Sequence, residues 1–282
     1  MPGWESGYIQ SNDLRLHYMR TGGDRPPLVL VHGYSDDALC WTPVARALEA
    51  DYDIVMVDTR GHGRSDAPEQ DFDPSVMAED LAGVIIGLGL RLPIILGHSL
   101  GAATALILAG HHPGLPCAIA LEDPTPWWGG GDEPLFSPAW LAQSRTWNAG
   151  LKRQSRQAIV AVQRADRPHW SVDELEAWAD SKLLLSPSFL NHVSPPELDW
   201  PDLLRRITCP ALLITGNPTL GSAVTDRQAV ALQVMVPQLL HTHVPGAGHN
   251  IRRDQFESYL KAIGPQFAAW TNHGQKKATG PA

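Results

Sequence analysis

Cysteine is scarce in this 282-residue chain, and positive charge is outnumbered. Only Cys40, Cys117 and Cys209 occur, widely spaced and odd in number, which excludes a disulfide framework or a CxxC metal site. Lys and Arg total 22 against 30 Asp and Glu, a formal net charge of −8. That balance argues against nucleic acid or an anionic membrane surface as the main partner. No run approaches the roughly 18 apolar residues of a membrane span. The opening Met-Pro-Gly-Trp-Glu-Ser-Gly lacks the basic and apolar segments of a secretory signal. These absences lead to the expectation of a cytoplasmic protein with neither nucleic acid nor membrane as partner.

What is present is a 43% hydrophobic composition, enough for one large domain with an insertion. Short apolar runs at Leu28–Val31, Asp53–Asp58, Ile94–Gly97, Ala118–Leu121, Ala211–Thr215 and Leu240–Val244 read as buried strands. Helical patterns at Trp41–Ala50, Pro74–Leu90, Thr225–Met235 and Arg252–Ile263 alternate with them. Tyr8–Ser11 and Leu14–Thr21, joined at Asn12-Asp13, suggest a hairpin in front. Strands alternating with helices at this spacing predict an α/β fold with a doubly wound, mostly parallel sheet.

The pattern breaks at Pro124. The stretch to about Asp199 reads helical and carries Trp127, Trp128, Trp140, Trp147, Trp170 and Trp178. It is expected to form a lid over 125–199, hinged at Gly129-Gly130-Gly131 and Ser194-Pro195-Pro196. The core would then be 1–124 and 200–270, with a polar, disordered tail over 271–282.

The chemistry gathers at Gly97-His98-Ser99-Leu100-Gly101, between an apolar run and a helical one. Gly-x-Ser-x-Gly in a strand–turn–helix context is a nucleophile elbow: flanking glycines let strand and helix close up, and a strained turn holds the hydroxyl clear of the sheet. Three further motifs stand in order around it. His32-Gly33 follows one strand, Asp58-x-Arg60-Gly61-His62-Gly63-x-Ser65 another, and Pro245-Gly246-Ala247-Gly248-His249 the last. Other groupings carry less. His241-Thr242-His243 lacks a clustered third ligand, so structural histidines are expected rather than a metal site.

Together the four motifs resemble the α/β-hydrolase fold superfamily over nearly the whole chain. The resemblance implies Ser99 as nucleophile, His249 as its base, and the backbone N–H groups of Tyr34 and Leu100 as an oxyanion hole. Gly33, His98, Trp127 and Trp128 would border the substrate. The acid departs from the usual pattern, because Gly216-Asn217-Pro218-Thr219-Leu220-Gly221 offers no carboxylate where most members have one. Haloalkane dehalogenases and zearalenone-type lactonases place the acid after the sixth strand, where this chain has Glu122-Asp123. Neighbouring strand residues point opposite ways, so only one of the two can face His249. Ungapped matching favours Asp123, with Glu122 the alternative and Asp226 a third candidate.

The implied activity is hydrolysis of a bulky, largely apolar carboxylic ester or lactone, without cofactor or metal. A C–C bond hydrolase, a cofactor-free haloperoxidase or perhydrolase and an amidase would share these motifs, as would a hydrolase-like ligand receptor. A serine at the elbow argues against dehalogenase or epoxide-hydrolase chemistry, which uses a carboxylate there.

Overall fold

The computed structural model describes residues 3–129 and 135–278. Its centre is an eight-stranded sheet in the order β1-β2-β4-β3-β5-β6-β7-β8. The strands are β1 (Glu5–Ser11), β2 (Leu14–Arg20), β3 (Pro27–Val31), β4 (Asp53–Val57), β5 (Ile94–His98), β6 (Ala118–Glu122), β7 (Ala211–Thr215) and β8 (Leu239–His243). β1 pairs antiparallel with β2, and β2 with β4; all pairings from β4 through β8 are parallel. The doubly wound, mostly parallel α/β sheet read from the apolar runs is therefore the observed one.

The central strands are buried at every position, as a sheet covered on both faces requires. Alternation splits them between two cores. With α1 (Thr42–Leu48) on the other face, Val29, Val31, Ile95, Ile119 and Leu121 pack beneath α2 (Pro74–Gly87) and α3 (Leu100–His111). Leu28, Leu30, Leu96, Ala118 and Ala120 pack against Trp41, Tyr259 and Phe267 on the other side.

Helices α4 (Pro138–Leu151), α5 (Arg156–Asp166), α6 (Val172–Leu184) and α7 (Pro187–His192) fall between β6 and β7, ahead of α8 (Trp200–Arg205). Each of these five starts on a serine or aspartate whose side chain accepts from its first-turn N–H groups. Gly130 and Gly131 of the expected hinge lie outside the described residues. After α9 (Asp226–Met235) and β8 come α10 (Ile251–Asp254) and α11 (Phe256–Ala278). The expectation of a disordered tail from residue 271 is corrected as far as Ala278, where α11 ends. Extending an existing helix adds a hydrogen bond per residue without a new nucleus, and Gln, Lys and Ala are good helix formers.

The elbow explains its own glycines. A Cβ on Gly97 would meet the Gly101 carbonyl oxygen at 2.3 Å, and one on Gly101 would lie 2.4 Å from the carbonyl oxygens of Val31 and His32. Backbone cannot move aside as a side chain can. Gly101→Ala should therefore cost about 1–3 kcal/mol as an overpacking change, lowering the urea midpoint; an unchanged midpoint would contradict this packing.

Candidate active site

β5 ends at His98, and α3 begins at Leu100, leaving Ser99 alone in the turn with φ 52° and ψ −115°. A positive φ at a non-glycine residue costs about 1–3 kcal/mol and persists only where its surroundings enforce it. The Ser99 N–H donates to the Glu122 carbonyl at 2.9 Å, pinning the turn to the end of β6. Leu100 opens the helix, so its N–H belongs to the first turn, whose donors have no partner within the helix. Its side chain is buried among Phe72, Phe136, Leu185 and Phe189.

The two carboxylates that end β6 part company. Asp123 also has a positive φ, 43°, which turns it out of the strand direction. Its Oδ2 lies 2.6 Å from His249 Nδ1. The same carboxylate accepts from Ser222 Oγ at 2.6 Å, Ala223 N at 2.7 Å and Val224 N at 3.1 Å. Glu122 instead accepts from the Arg252 backbone N–H at 2.9 Å and its guanidinium at 3.0 Å. Asp226 is exposed in the first turn of α9. Of the three carboxylates weighed, only Asp123 meets His249.

His249 sits on the loop after β8 with 32% of its side chain exposed. Burial disfavours charge on its imidazole, but the hydrogen bond and charge of Asp123, with Glu122 adding, outweigh it and raise the pKa above 6.5. Because Asp123 holds Nδ1, Nε2 is the nitrogen left for chemistry. His98 Nε2 lies 3.0 Å from the His249 carbonyl and steadies that loop. Burial and the charges of Arg252 and His249 push the His98 pKa well below 6.5, keeping it neutral.

Ser99 and His249 line one cavity of about 370 Å³. Gly33, Tyr34 and His98 line it too. Trp127 and Trp128, expected at the pocket, are not among its described lining residues. The Trp127 ring lies 5.1 Å from that of Phe136, tilted against it, and Trp128 is 7% exposed with its indole donating to the Gln228 carbonyl at 3.0 Å. An indole N–H needs a buried acceptor, and α9 supplies it.

The aromatic wall comes instead from Phe136, Trp140, Trp147 and Trp178. Sequence spacing marked the tryptophans of the insertion as a group but not which of them face inward. Two cations also missed by sequence reasoning share the wall, Lys182 and Arg253. Lys182, 1% exposed, donates to the Ser35 carbonyl at 2.7 Å and to Asp36 at 2.8 Å. Arg253 reaches Asp36 at 3.1 Å, and its buried Nε and Nη2 have no hydrogen-bond partner. Arg253 stands four residues after His249, and no motif marks Lys182. Among the described residues no three His, Cys, Asp or Glu stand close enough to hold a metal.

The alpha/beta hydrolase family model matches residues 28–259, and the chain belongs to that family. It is 27% identical over 270 residues to N-formylmaleamate deformylase of Pseudomonas putida, covering 92% of this chain and 94% of the relative. Epoxide hydrolase 1 of Caenorhabditis elegans is 34% identical over 284 residues, covering 91% of this chain and 69% of that protein. Among solved structures, an N-formylmaleamic acid deformylase of Pseudomonas putida superposes with a TM-score of 0.76 at 23% identity, covering 92% of this chain and all of that one. An esterase from Rhodococcus gives 0.75 at 23% identity, covering 95% and 99%. The protein is accordingly a hydrolase, and no helix among its described residues is long and apolar enough to cross a membrane.

The division between the two carboxylates is measurable as stability. Glu122→Ala leaves the Arg252 guanidinium buried without its main partner, which should cost about 3 kcal/mol or more in urea unfolding. An unchanged midpoint would contradict a structural role for Glu122.

Proposed function

We propose that the protein is a serine hydrolase of carboxylic esters or lactones, acting through Ser99, His249 and Asp123. The observation that carries this reading is the 2.6 Å contact of His249 Nδ1 with a carboxylate that accepts three further hydrogen bonds. That carboxylate fixes the tautomer and the plane of the ring, so Nε2 is available to take the Ser99 proton. Ser99 then attacks the substrate carbonyl, and the backbone N–H groups of Tyr34 and Leu100 receive the negative charge on oxygen. The alcohol leaves with the proton held by His249. Water, deprotonated by the same imidazole, releases the acid from Ser99.

Segment 125–199 acts as a lid whose inner face selects the substrate. Phe136, Trp140, Trp147 and Trp178 favour a bulky apolar group. A second reading of specificity is favoured by Lys182 and Arg253, whose positive charges on the same wall suit a substrate that also carries a carboxylate. Two relatives named for carboxylate-bearing compounds, the deformylase and 2-(acetamidomethylene)succinate hydrolase of Mesorhizobium japonicum, accord with it. The epoxide hydrolase likeness does not extend to the nucleophile, since a neutral hydroxyl stands at the elbow.

Ser99→Ala should lower kcat on p-nitrophenyl esters by about 10⁴-fold or more while leaving the fold intact; near-normal turnover would end the assignment. The base must be neutral to act, and its pKa is raised, so activity should fall on acidification with a midpoint above pH 6.5. Asp123→Asn removes the larger of the raising effects, leaving only Glu122, and should move the His249 midpoint down in an NMR titration as kcat falls. An unshifted midpoint would separate Asp123 from the base. In stability the sign is set by the raised folded value: the His249–Asp123 pair stabilises fully below about pH 6.5, and that contribution is lost as pH rises through the folded pKa.

A further inference from the structure

A second Ser-His-Asp chain stands outside the cavity around Ser99. Ser6 Oγ on β1 lies 2.8 Å from His17 Nε2 on β2, and His17 Nδ1 lies 2.7 Å from Oδ2 of Asp58, the residue after β4. In the hairpin register Ser6 faces Met19 and Tyr8 faces His17, so Ser6 and His17 are diagonal neighbours on one face. Asp58 also accepts the backbone N–H groups of Ala38 at 2.7 Å and Arg64 at 2.9 Å. This is the arrangement of Asp123: a buried carboxylate anchored by backbone donors, with one oxygen on the Nδ1 of an imidazole.

The proton positions follow from the anchoring. Burial pushes the Asp58 carboxyl up, but hydrogen bonds from His17, Arg64 and Ala38 outweigh that and keep it below its ordinary range. An ionised carboxylate only accepts, so His17 Nδ1 carries the hydrogen, and in the neutral imidazole Nε2 is then the lone pair. The Ser6 hydroxyl therefore donates to Nε2, as a nucleophile does to its base. Ser6 is exposed and His17 buried, so the hydroxyl is reachable while its base is shielded.

All three residues line a cavity of about 520 Å³ that shares no lining residue with the one around Ser99. Trp4, Met19, Leu39 and Leu183 give it apolar walls, and Arg64 and Asp180 charged ones. A clamp between hairpin and turn would need only the His17–Asp58 contact, whereas an exposed hydroxyl could turn to water instead of toward the ring.

We propose that Ser6, His17 and Asp58 form a second, slower nucleophilic site that takes acyl or phosphonyl groups from small activated esters. Ser6 Oγ bonds to the carbonyl carbon as His17 Nε2 takes the hydroxyl proton. The ester C–O bond then breaks, the alcohol leaves with that proton, and the acyl group stays on Ser6 until water removes it by the reverse relay. With a fluorophosphonate, Ser6 Oγ bonds to phosphorus as His17 takes the proton, the P–F bond breaks and fluoride leaves. The guanidinium of Arg64 is the cation on that wall available to the carbonyl oxygen. No elbow or helix N-terminus presents Ser6, which is why this site is the slower one.

The test is a fluorophosphonate offered to the Ser99→Ala chain, followed by digestion and mass mapping, with the urea-unfolded chain as reference. The folded protein should carry the phosphonyl group on the peptide containing Ser6, formed about 100-fold faster than in the unfolded chain. The adduct should disappear in Ser99→Ala/Ser6→Ala, a change at an exposed position that does not threaten folding. No adduct at Ser6, or one formed no faster than in the unfolded chain, would overturn the proposal. Neither result bears on whether Ser99 is the nucleophile of the main site.

Discussion

The Asp123 carboxylate is fully buried and accepts four hydrogen bonds, three from residues 222–224 and one from His249. A buried charge is tolerated only when its lone pairs are used, and each of these donors comes from an element that must already be in place. Ser222 and its neighbours belong to the loop after β7, and His249 to the loop after β8. The carboxylate thus holds two loops at the carboxyl ends of adjacent parallel strands in one relation to β6. Loops at those ends are where an open α/β sheet gathers its ligand-binding side chains.

Two strained turns stand at the same edge. Ser99 and Asp123 both adopt positive φ, directly after β5 and β6. Each is tied by its own N–H to the next strand: Ser99 to the Glu122 carbonyl and Asp123 to the Ile214 carbonyl, both at 2.9 Å. Parallel pairing of β5, β6 and β7 therefore supplies what the two turns cost. Glu122 strengthens the frame from below through Arg252, whose guanidinium also lies over the Trp41 ring at 4.2 Å. A neighbouring carboxylate with a structural task leaves Asp123 as the one turned toward the imidazole.

Much of this was legible in the sequence because it is local. Gly97 and Gly101 mark a turn that only glycine permits, and apolar runs bounded by turns announce the parallel strands. Alternation along a strand said that Glu122 and Asp123 must diverge, but not which way. That depended on the backbone of Asp123 leaving the strand, which no spacing reveals. Trp128 was misplaced for a related reason: its indole follows an acceptor on α9, a hundred residues away. The wall built by Phe136, Trp140, Trp147 and Trp178 depends on how helices of the insertion lie over the sheet, and composition is silent there. Helix α11 continued past the polar boundary because helix propagation is less demanding than an amphipathic pattern suggests.

The insertion is joined to the site by charge as well as by rings. Lys182 on α6, Asp36 after β3 and Arg253 after His249 form a buried cluster, so α6, the Tyr34 loop and the base loop meet at one carboxylate. Burial raises the Asp36 carboxyl, but Arg253, Lys182 and the neighbouring Arg252 outweigh it and hold it well below the usual carboxylate range. The most direct measurement is rapid acid quench of the native enzyme during turnover of a p-nitrophenyl ester, with peptide mapping of the trapped protein. The account predicts an acyl group on the peptide bearing Ser99, formed at least as fast as product accumulates. Full turnover with Ser99 never acylated would contradict it.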